Sequence, residues 1–436
     1  LQEDALMSYV ASVNYSYGDK YYASFSFRRD GSSRLSPDTR WGNFWSLSAS
    51  WRLSQEKFMQ SLKSVLSDLK LRASYGVNGN LPSSYYGYQS TYTTGAFYNG
   101  KPSPWESTLG NEELTWEKNY ALNLGLDIGL FSRVNVSLDW YTRTTKDLLM
   151  SKQLNSISGF SSLLTNVGQM RNTGVELEVR SNNIKTKDFS WTTAFNLSHN
   201  KNKILKLADL PWFVDGRYVR KEGYPFNTIY LREYAGVDPE TGSALYYDNQ
   251  QDENGNYTKN KVTDPGQASP IPLKDITPTI SGGFMNTFNY KFIDLSFNLS
   301  YSFGGYSYDN ASYILQDDGY SVISNKSTEQ RRRWQKPGDI TDVPRFVYGN
   351  KKGGNYNSSR AIHSTDHIRL KSLILGLNAP KAWLQKLGIG NARIYFSGTN
   401  LLTWAAYGQY DPEMSGVVGF YTPPLKTYAF GLELKF

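Results

Sequence analysis

The sequence predicts an all-β fold, a transmembrane antiparallel β-barrel, on three observations. Apolar and polar side chains alternate along unusually long segments, about 13 such segments recur along the chain, and the connections between them alternate between short and long. Successive side chains of a strand point to opposite faces, so each segment has one apolar and one polar face. A soluble β-sandwich shares the alternation but not the strand length or the one-sided loops.

Residues 119–131 show the alternation most clearly. Every even position is large and apolar, namely Tyr120, Leu122, Leu124, Leu126, Ile128 and Leu130. Globular strands usually have roughly five or six residues, so a strand of this length is unusual. It matches the roughly 9–11 residues that a tilted strand needs to cross a bilayer.

The same alternation predicts strands along the whole chain. In order, they are 7–17, 21–30, 44–53, 69–77, 119–131, 134–143, 174–181, 189–198, 280–290, 293–303, 368–378, 392–399 and 427–436. Aromatic residues gather near the strand ends, as in the girdles of outer-membrane barrels. The last strand ends on the aromatic residue Phe436, which resembles the C-terminal signal by which such barrels are recognised for insertion.

The connections differ in length in a regular way. Short ones are predicted at 18–20, 54–67 (partly helical), 132–133, 182–188, 291–292 and 379–391. Long ones are predicted at about 78–116, 145–172, 199–278, 304–366 and 401–426. Outer-membrane barrels have short periplasmic turns and long extracellular loops, so the long connections are expected outside the cell. Residues 1–436 are therefore predicted to form one barrel region in the outer membrane.

Composition excludes several other classes of protein. No run of 18 apolar residues is present, so a transmembrane helix is not expected. The absence of Cys suits assembly in an oxidising periplasm. The net charge of +8 comes from scattered basic residues, and nucleic-acid binding is not predicted. A soluble propeller would need a repeat of about 40–50 residues, which the sequence lacks.

The chain begins with Leu1, Gln2, Glu3 and Asp4, without the basic and apolar regions of a signal peptide. Residues 7–17 already have the pattern of a complete strand. The chain is therefore expected to be part of a longer polypeptide.

Several short segments occur in an order typical of one transporter family. They are FRRDGSSR at 27–34, LKLRASYG at 69–76, LTWEK at 114–118, RNTGVEL at 171–177, YAGVDPETG at 234–242, IRLKSL at 368–373 and SGTNLLT at 397–403. Together they resemble the C-terminal region of the SusC/RagA family of TonB-dependent outer-membrane transporters. The matches extend from about residue 7 to residue 436.

The resemblance implies a barrel of about 22 strands with a plug in its lumen. This chain would supply about 13 C-terminal strands, without the plug or the segment that contacts TonB. The implied activity is import of oligosaccharides or oligopeptides, driven through TonB, with a SusD-like surface lipoprotein as a lid. The choice between glycan and peptide stays open, and so does a structural or adhesive barrel that transports nothing.

Aromatic side chains in the loops are the best candidates for substrate contacts, because sugar faces and peptide side chains pack on rings. The candidates are Tyr85, Tyr86, Tyr88, Trp212, Phe213, Tyr306, Tyr308 and Trp334. The alternative is that these rings pack the loops against one another or against the lid. On the polar strand faces, pairing with the plug is expected for Arg28, Asp30, Arg52 and Arg72.

No catalytic residue, metal site or cofactor is predicted. His363 and His367 have helical metal-site spacing but lead into a predicted strand. The run 248–256 resembles a calcium loop but lacks the terminal bidentate Glu. No Ser/His/Asp order and no phosphate-binding glycine loop is present, so an enzyme is not expected.

Overall fold

A computed structural model describes residues 2–207, 210–350, 357–380, 383–384 and 388–436. Within these residues, thirteen long strands form one antiparallel sheet in which spatial order follows chain order, and this confirms the predicted strand number. We label them β1 (Leu6–Tyr17), β2 (Tyr21–Ser32), β3 (Trp41–Arg52), β4 (Leu66–Asn80), β5 (Glu117–Leu130), β6 (Val134–Lys146), β7 (Gln169–Lys185), β8 (Phe189–Lys206), β9 (Ile280–Tyr290), β10 (Ile293–Phe303), β11 (His367–Asn378), β12 (Asn391–Ala405) and β13 (Thr427–Lys435).

Shorter elements occupy the connections. The short strands are Thr91–Thr93, Phe97–Tyr98, Lys101–Pro102, Trp105–Thr108, Leu149–Gln153, Ser162–Asn166, Trp212–Asp215, Tyr218–Lys221, Thr228–Leu231, Tyr234–Val237, Ala244–Tyr247, Lys261–Val262, Ile271–Asp275, Tyr306–Asp309, Ile362–Ser364 and Gly416–Val418. The α-helix α1 is Asn310–Leu315, and the 3₁₀ helices are Leu53–Gln55, Lys57–Leu62, Ser156–Ser158, Pro265–Gln267, Thr328–Arg332 and Ser359–Ala361. Two of these 3₁₀ helices lie in the connection that was predicted to be partly helical.

Several strands extend beyond their predicted ends. The segment predicted at 189–198 continues to Lys206, and the one predicted at 174–181 begins at Gln169 and ends at Lys185. The added residues lack the apolar alternation, because only the membrane-spanning part of a strand needs an apolar face. Residues 208–209, 351–356, 381–382 and 385–387, within the predicted connections, lie outside the described residues.

The chain divides into two compact units. Unit 1 comprises Leu1–Lys185, Trp191–Trp212 and Lys221–Tyr224, and unit 2 comprises Thr186–Ser190, Phe213–Arg220 and Pro225–Phe436. Unit 1 therefore contains β1 to β7, and unit 2 contains β9 to β13. No helix in the described ranges is long and apolar enough to span a membrane.

In unit 1 the strand register aligns like side chains in rows across the sheet. One apolar row consists of Val13, Phe25, Leu47 and Tyr75, and the adjacent polar row consists of Asn14, Ser24, Ser48 and Ser74. Since a shift of one residue would exchange the two faces, this register preserves a continuous apolar face. Its side chains are exposed, with Leu47 at 53%.

Stacked aromatic pairs lie toward both ends of this apolar face. Tyr9 stacks on Trp41 with ring centroids 6.1 Å apart, and Tyr21 stacks on Trp51 at 6.2 Å. Tyr17, the register partner of Tyr21, follows Tyr9 along β1. With a rise of roughly 3.3 Å per residue and a tilt of about 40°, the two pairs are about 20 Å apart along the membrane normal. This separation is close to the height of about 25 Å of the apolar band in outer-membrane barrels.

The buried core of unit 1 lies under the connection between β4 and β5, where Phe44 and Trp116 meet edge to face at 5.2 Å. The Trp116 Nε1 donates a hydrogen bond to the Arg40 carbonyl at 2.8 Å. A Cβ atom at Gly79 would lie 2.3 Å from the Phe44 ring, so only glycine allows this approach. The LTWEK motif therefore packs the loop onto the strand ends.

Charged residues of the polar face pair within the sheet. Arg72 Nε donates to Asp127 Oδ2 at 2.8 Å, and its Nη2 donates to Asp139 Oδ2 at 2.9 Å. Arg28 pairs with Asp30 at 2.6 Å. Charges withdrawn from water need partners, and these arginines find them within the sheet. Asp30 lies on the same strand as Arg28, Asp127 lies on β5 next to the strand of Arg72, and Asp139 lies one strand further, on β6. Their expected pairing with a plug stays a prediction.

Because the apolar face requires a lipid environment, its substitution by a charge has a predictable cost. We expect Leu47→Arg to lower the free energy of unfolding by about 2–4 kcal/mol in liposomes. The matched control is Ser46→Arg, on the adjacent exposed position of the polar face. Denaturant titration of the full-length protein tests this, and equal losses for both variants would contradict the assignment of the faces.

Candidate functional site

A cavity of about 660 Å³ in unit 2 is the leading candidate for a binding site. Its walls come from α1, from the end of β12 and from the connection 406–426. The side chains that argue for binding are Asp309, Arg369, Tyr407, Tyr410, Phe420, Tyr421 and Lys426. Ligand pockets usually measure about 300–1,000 Å³, so this cavity is large enough for a small oligomer.

A bulge in β11 lies two residues after Arg369, which lines the cavity. Leu370 and Ser372 pair with consecutive residues of β10, so Lys371 is an extra residue in its strand. A bulge bends the strand and changes which face the following side chains occupy. The register also shifts between β11 and β12, where Asn400 adopts a positive φ of 52°. Arg369 and Lys371 both contact the same acidic residue, Glu413.

These contacts form an ion-pair cluster that holds the connection 406–426 to β11. Arg369 Nη2 lies 2.6 Å from Asp411 Oδ2, and its Nη1 lies 3.1 Å from Glu413 Oε2. Lys371 Nζ lies 2.5 Å from Glu413 Oε1. Arg369 is only 2% exposed, and its Nε also donates to Thr403 Oγ1 at 3.1 Å. The guanidinium is therefore fully engaged in positioning the cavity wall.

A buried carboxylate organises the opposite wall. Asp309, 3% exposed, accepts a hydrogen bond from the Ser312 amide at 2.9 Å and another from the Tyr407 hydroxyl at 3.0 Å. The Tyr407 ring stacks on His363, with centroids 3.7 Å apart and planes 2° from parallel. Tyr410 shares a hydrogen bond with Ser307. The short strand Tyr306–Asp309 thereby fixes both tyrosines.

Burial shifts the pKa of three side chains in and behind this wall. Desolvation raises the pKa of Tyr407 and of Tyr410, so both hydroxyls stay protonated at neutral pH. Desolvation lowers the pKa of His363, and the nearby Asp309 opposes that effect only in part. The cavity wall therefore presents neutral rings and hydrogen-bonding groups, an arrangement suited to non-covalent binding of polar molecules.

None of the eight predicted aromatic residues lines the cavity. In unit 1, the Arg34 guanidinium lies 4.3 Å from the Tyr85 ring centroid, and the Tyr86 hydroxyl accepts from the Glu3 amide at 3.1 Å. Tyr88 is half-buried in the same loop, while Trp212 is 45% exposed. Their role in binding stays a prediction.

The other predicted rings belong to unit 2. Tyr308 is 1% exposed and packs beneath Arg217, whereas Tyr306 is half-buried near Lys274. Phe213 is half-buried. Trp334 donates from Nε1 to the Pro239 carbonyl at 2.8 Å. These contacts give Tyr308 and Trp334 a packing role within the loops, and substrate contact by any of the four stays a prediction.

The position of Trp334 explains why the residue at 242, in the turn formed by residues 239–242, is glycine. Gly242 has φ of +69°, and a Cβ atom there would lie 2.4 Å from the Trp334 ring. The turn is closed by a hydrogen bond from the Gly242 amide to the Asp238 carbonyl at 2.8 Å. The YAGVDPETG motif therefore forms a packed loop turn.

The sequence patterns did not predict the residues that line the cavity or hold its wall. Tyr407, Tyr410, Asp411 and Glu413 lie close together in a connection recognised only as a long loop. The sequence pattern that could have indicated this site is two tyrosines followed closely by two acidic residues. Their partner Arg369 lies 42 residues before Asp411, and sequence spacing gave no reason to join them.

The two weak metal-site patterns have other structural uses. His363 stacks on Tyr407, and His367 Nδ1 lies 2.7 Å from the Thr365 carbonyl. Asp252 Oδ1 accepts from the amides of Asn254 and Asn256, which closes a turn. Within the described part of the chain, no three His, Asp or Glu side chains are grouped to hold a metal ion.

Comparison with known proteins gives consistent matches. Residues 5–229 match the family model described as TonB dependent receptor-like, beta-barrel. TonB-dependent receptor P3 of Formosa agariphila is 33% identical, over 100% of this chain and 46% of that protein. TonB-dependent receptor SusC of Bacteroides thetaiotaomicron is 30% identical, over 99% of this chain and 44% of that protein.

A solved structure, that of the RagAB peptide transporter, is also similar. It has 31% sequence identity and a TM-score of 0.90, and the alignment covers 99% of this chain and 48% of that chain. The chain therefore spans about half the length of the curated relatives and of this solved structure.

Removal of the Arg369 guanidinium should release the connection 406–426. Arg369→Gln leaves Asp411 and Glu413 without their shared partner, which typically costs about 3–5 kcal/mol for a buried pair. We expect faster hydrogen–deuterium exchange in that connection. Arg393→Gln, which breaks the 2.6 Å pair with Asp294 elsewhere in unit 2, is the control. Unchanged exchange in Arg369→Gln would disprove the positioning role.

Protonation of His363 should loosen the stack on Tyr407. Its folded-state pKa lies below the usual 6.5, so the unfolded state binds the proton more readily. Local stability is therefore present above about pH 6.5 and is lost as the pH falls below it. We expect exchange at Tyr306–Asp309, corrected for its intrinsic rate, to rise on acidification. The same rise in His363→Phe would contradict this explanation.

Proposed function

The chain belongs to the TonB-dependent receptor β-barrel family, in its SusC/RagA branch, and we propose that the full-length protein imports oligosaccharides or oligopeptides. The chain is located in the outer membrane and crosses it with β-strands. Whole-protein activity is a proposal because the chain spans about half of its relatives' length. The energy for uphill import would come from the inner membrane through TonB, contacted by the N-terminal part of the protein.

The cavity beside Arg369 is the observation that carries this proposal. A molecule that passes through a barrel moves along the polar face of its sheet, and the cavity opens beside that face in unit 2. Phe420 and Tyr421, 67% and 62% exposed, offer ring faces to such a molecule. Lys426 and Asn400 offer donors that can orient it. Both peptides and glycans use this combination of rings and donors.

The lid is the second part of the proposal. We assign the long connections to the extracellular side, where a SusD-like lipoprotein would cover them. Exposed loop rings such as Phe97 at 71%, Tyr98 at 80% and Tyr348 at 80% provide apolar contact area for a partner. Among the aromatic residues predicted from sequence, Trp212 is exposed enough to contribute to either the lid or the substrate.

Peptides are the first substrates to test, because the similar solved structure is named a peptide transporter. Its printed name applies to that protein, and the polar and aromatic cavity of this chain also fits oligosaccharides. A structural or adhesive barrel that transports nothing is the alternative. The dependence of uptake on TonB distinguishes the two functions.

We expect a strain that lacks the gene to lose growth on a subset of defined oligopeptides or oligosaccharides. The full-length gene should restore growth only when TonB is present. Phe420→Ala with Tyr421→Ala should reduce uptake about tenfold, equivalent to about 1.4 kcal/mol of lost ring contacts. Trp383→Ala, which removes a ring that is 68% exposed in the short connection between β11 and β12, is the control for the cavity. TonB-independent growth on every substrate would favour the structural barrel.

A further inference from the structure

We propose that unit 1 carries a phospholipid site on its apolar face, at the end next to the short turns. One acyl chain would occupy a groove of about 690 Å³, and the anionic headgroup would lie beside Lys57 and Lys63. This site shares no lining residue with the cavity beside Arg369, and it does not depend on the transported substrate.

The groove arises from small side chains between large ones on the same face. Ala49 and Ala73 are register partners and form its floor. Trp51 borders it nearer the short turns, and Trp140 borders it across the sheet. Since the large neighbours project beyond these alanines, a depression remains in the apolar face.

The connection between β3 and β4 is held against the apolar side of the sheet by Glu56. Glu56 accepts hydrogen bonds from the Tyr21 hydroxyl at 2.6 Å and from Trp51 Nε1 at 3.2 Å, and it pairs with Lys20 Nζ at 2.9 Å. Tyr21 and Trp51 belong to the apolar face. These bonds hold the pKa of Glu56 at about 2, so it stays charged. The connection therefore lies next to the end of the groove.

The connection has the composition of a segment at a membrane interface. Phe58, Leu62 and Val65 are 65%, 50% and 47% exposed, and Phe131 from the adjacent turn is 58% exposed. The Phe131 amide donates to the Val65 carbonyl at 2.7 Å, which keeps the two segments together. Exposed apolar side chains combined with lysines are typical of segments that lie in the headgroup region.

Two observations favour a phospholipid over a protein partner. The groove is continuous with the face that contacts the bilayer, so hydrocarbon is its natural occupant. Lys57 and Lys63 are exposed in the adjacent connection, and basic residues beside a membrane attract anionic headgroups. The short turns place the site in the periplasmic leaflet, where phospholipid rather than surface glycolipid would supply the chain.

Native mass spectrometry of the delipidated full-length protein with dioleoyl phosphatidylglycerol tests the proposal. We expect one tightly retained lipid in the wild type, and a loss of at least fivefold in Ala73→Phe, which fills the groove floor. Lys57→Gln with Lys63→Gln should abolish the preference over phosphatidylcholine. Ala392→Phe, an apolar-face alanine of β12 paired with Leu434, should retain lipid as the wild type does.

Thermal unfolding of each variant confirms that the substitution leaves the fold intact. Equal retention in Ala73→Phe and in the wild type would overturn the groove assignment. A stronger signal with purified lipopolysaccharide than with phosphatidylglycerol would overturn the choice of ligand. Brominated phosphatidylglycerol gives an independent readout, because Trp51 and Trp140 border the groove and their fluorescence should be quenched. Unchanged quenching in Ala73→Phe would also count against the site.

Discussion

Backbone hydrogen bonding in an apolar solvent is the constraint on which this structure depends. A strand in a bilayer must pair its amides and carbonyls with neighbouring strands, because lipid offers no replacement partner. Once pairing fixes the register, one face of every strand meets lipid and the other does not. In unit 1 this produces aligned rows of apolar and polar side chains. The stacked aromatic pairs and the arginine–carboxylate pairs occupy opposite faces of the same framework.

The two candidate binding sites, the cavity and the groove, lie at irregular positions in this framework. The cavity in unit 2 depends on the bulge at Lys371, on the buried Arg369 and on the carboxylate of Asp309. The groove in unit 1 depends on the paired alanines Ala49 and Ala73 and on Glu56 at the end of the sheet. In both units a charged residue fixes a connection against the strands. The regular part of the sheet is the support for these sites.

The strands could be predicted because the bilayer imposes a strict period of two, and all thirteen were found in the described residues. The pattern was weaker at 368–378, and the bulge supplies the reason. Leu373 and Leu375 are odd positions on the apolar face, whereas Ile368 and Leu370 are even positions on that same face. The cavity could not be predicted because Arg369 contacts residues far away in sequence. The sequence alone does not show which aromatic residues of the loops are buried, as Tyr308 is, and which are exposed.

The bulge at Lys371 also affects how this part of the sequence can vary. A loop such as 81–116 can gain or lose residues at its surface without changing which way any strand faces. Deletion of Lys371 would leave the other pairs between β10 and β11 in place, since Leu299 would still face Leu370 and Asn298 would still face Ser372. Arg369 would stay on the polar face, but the connection 406–426 would lose the ammonium group that pairs with Glu413. The loops can therefore change length at their surface, whereas a β11 without its extra residue would be regular and would hold the connection 406–426 with one cation fewer.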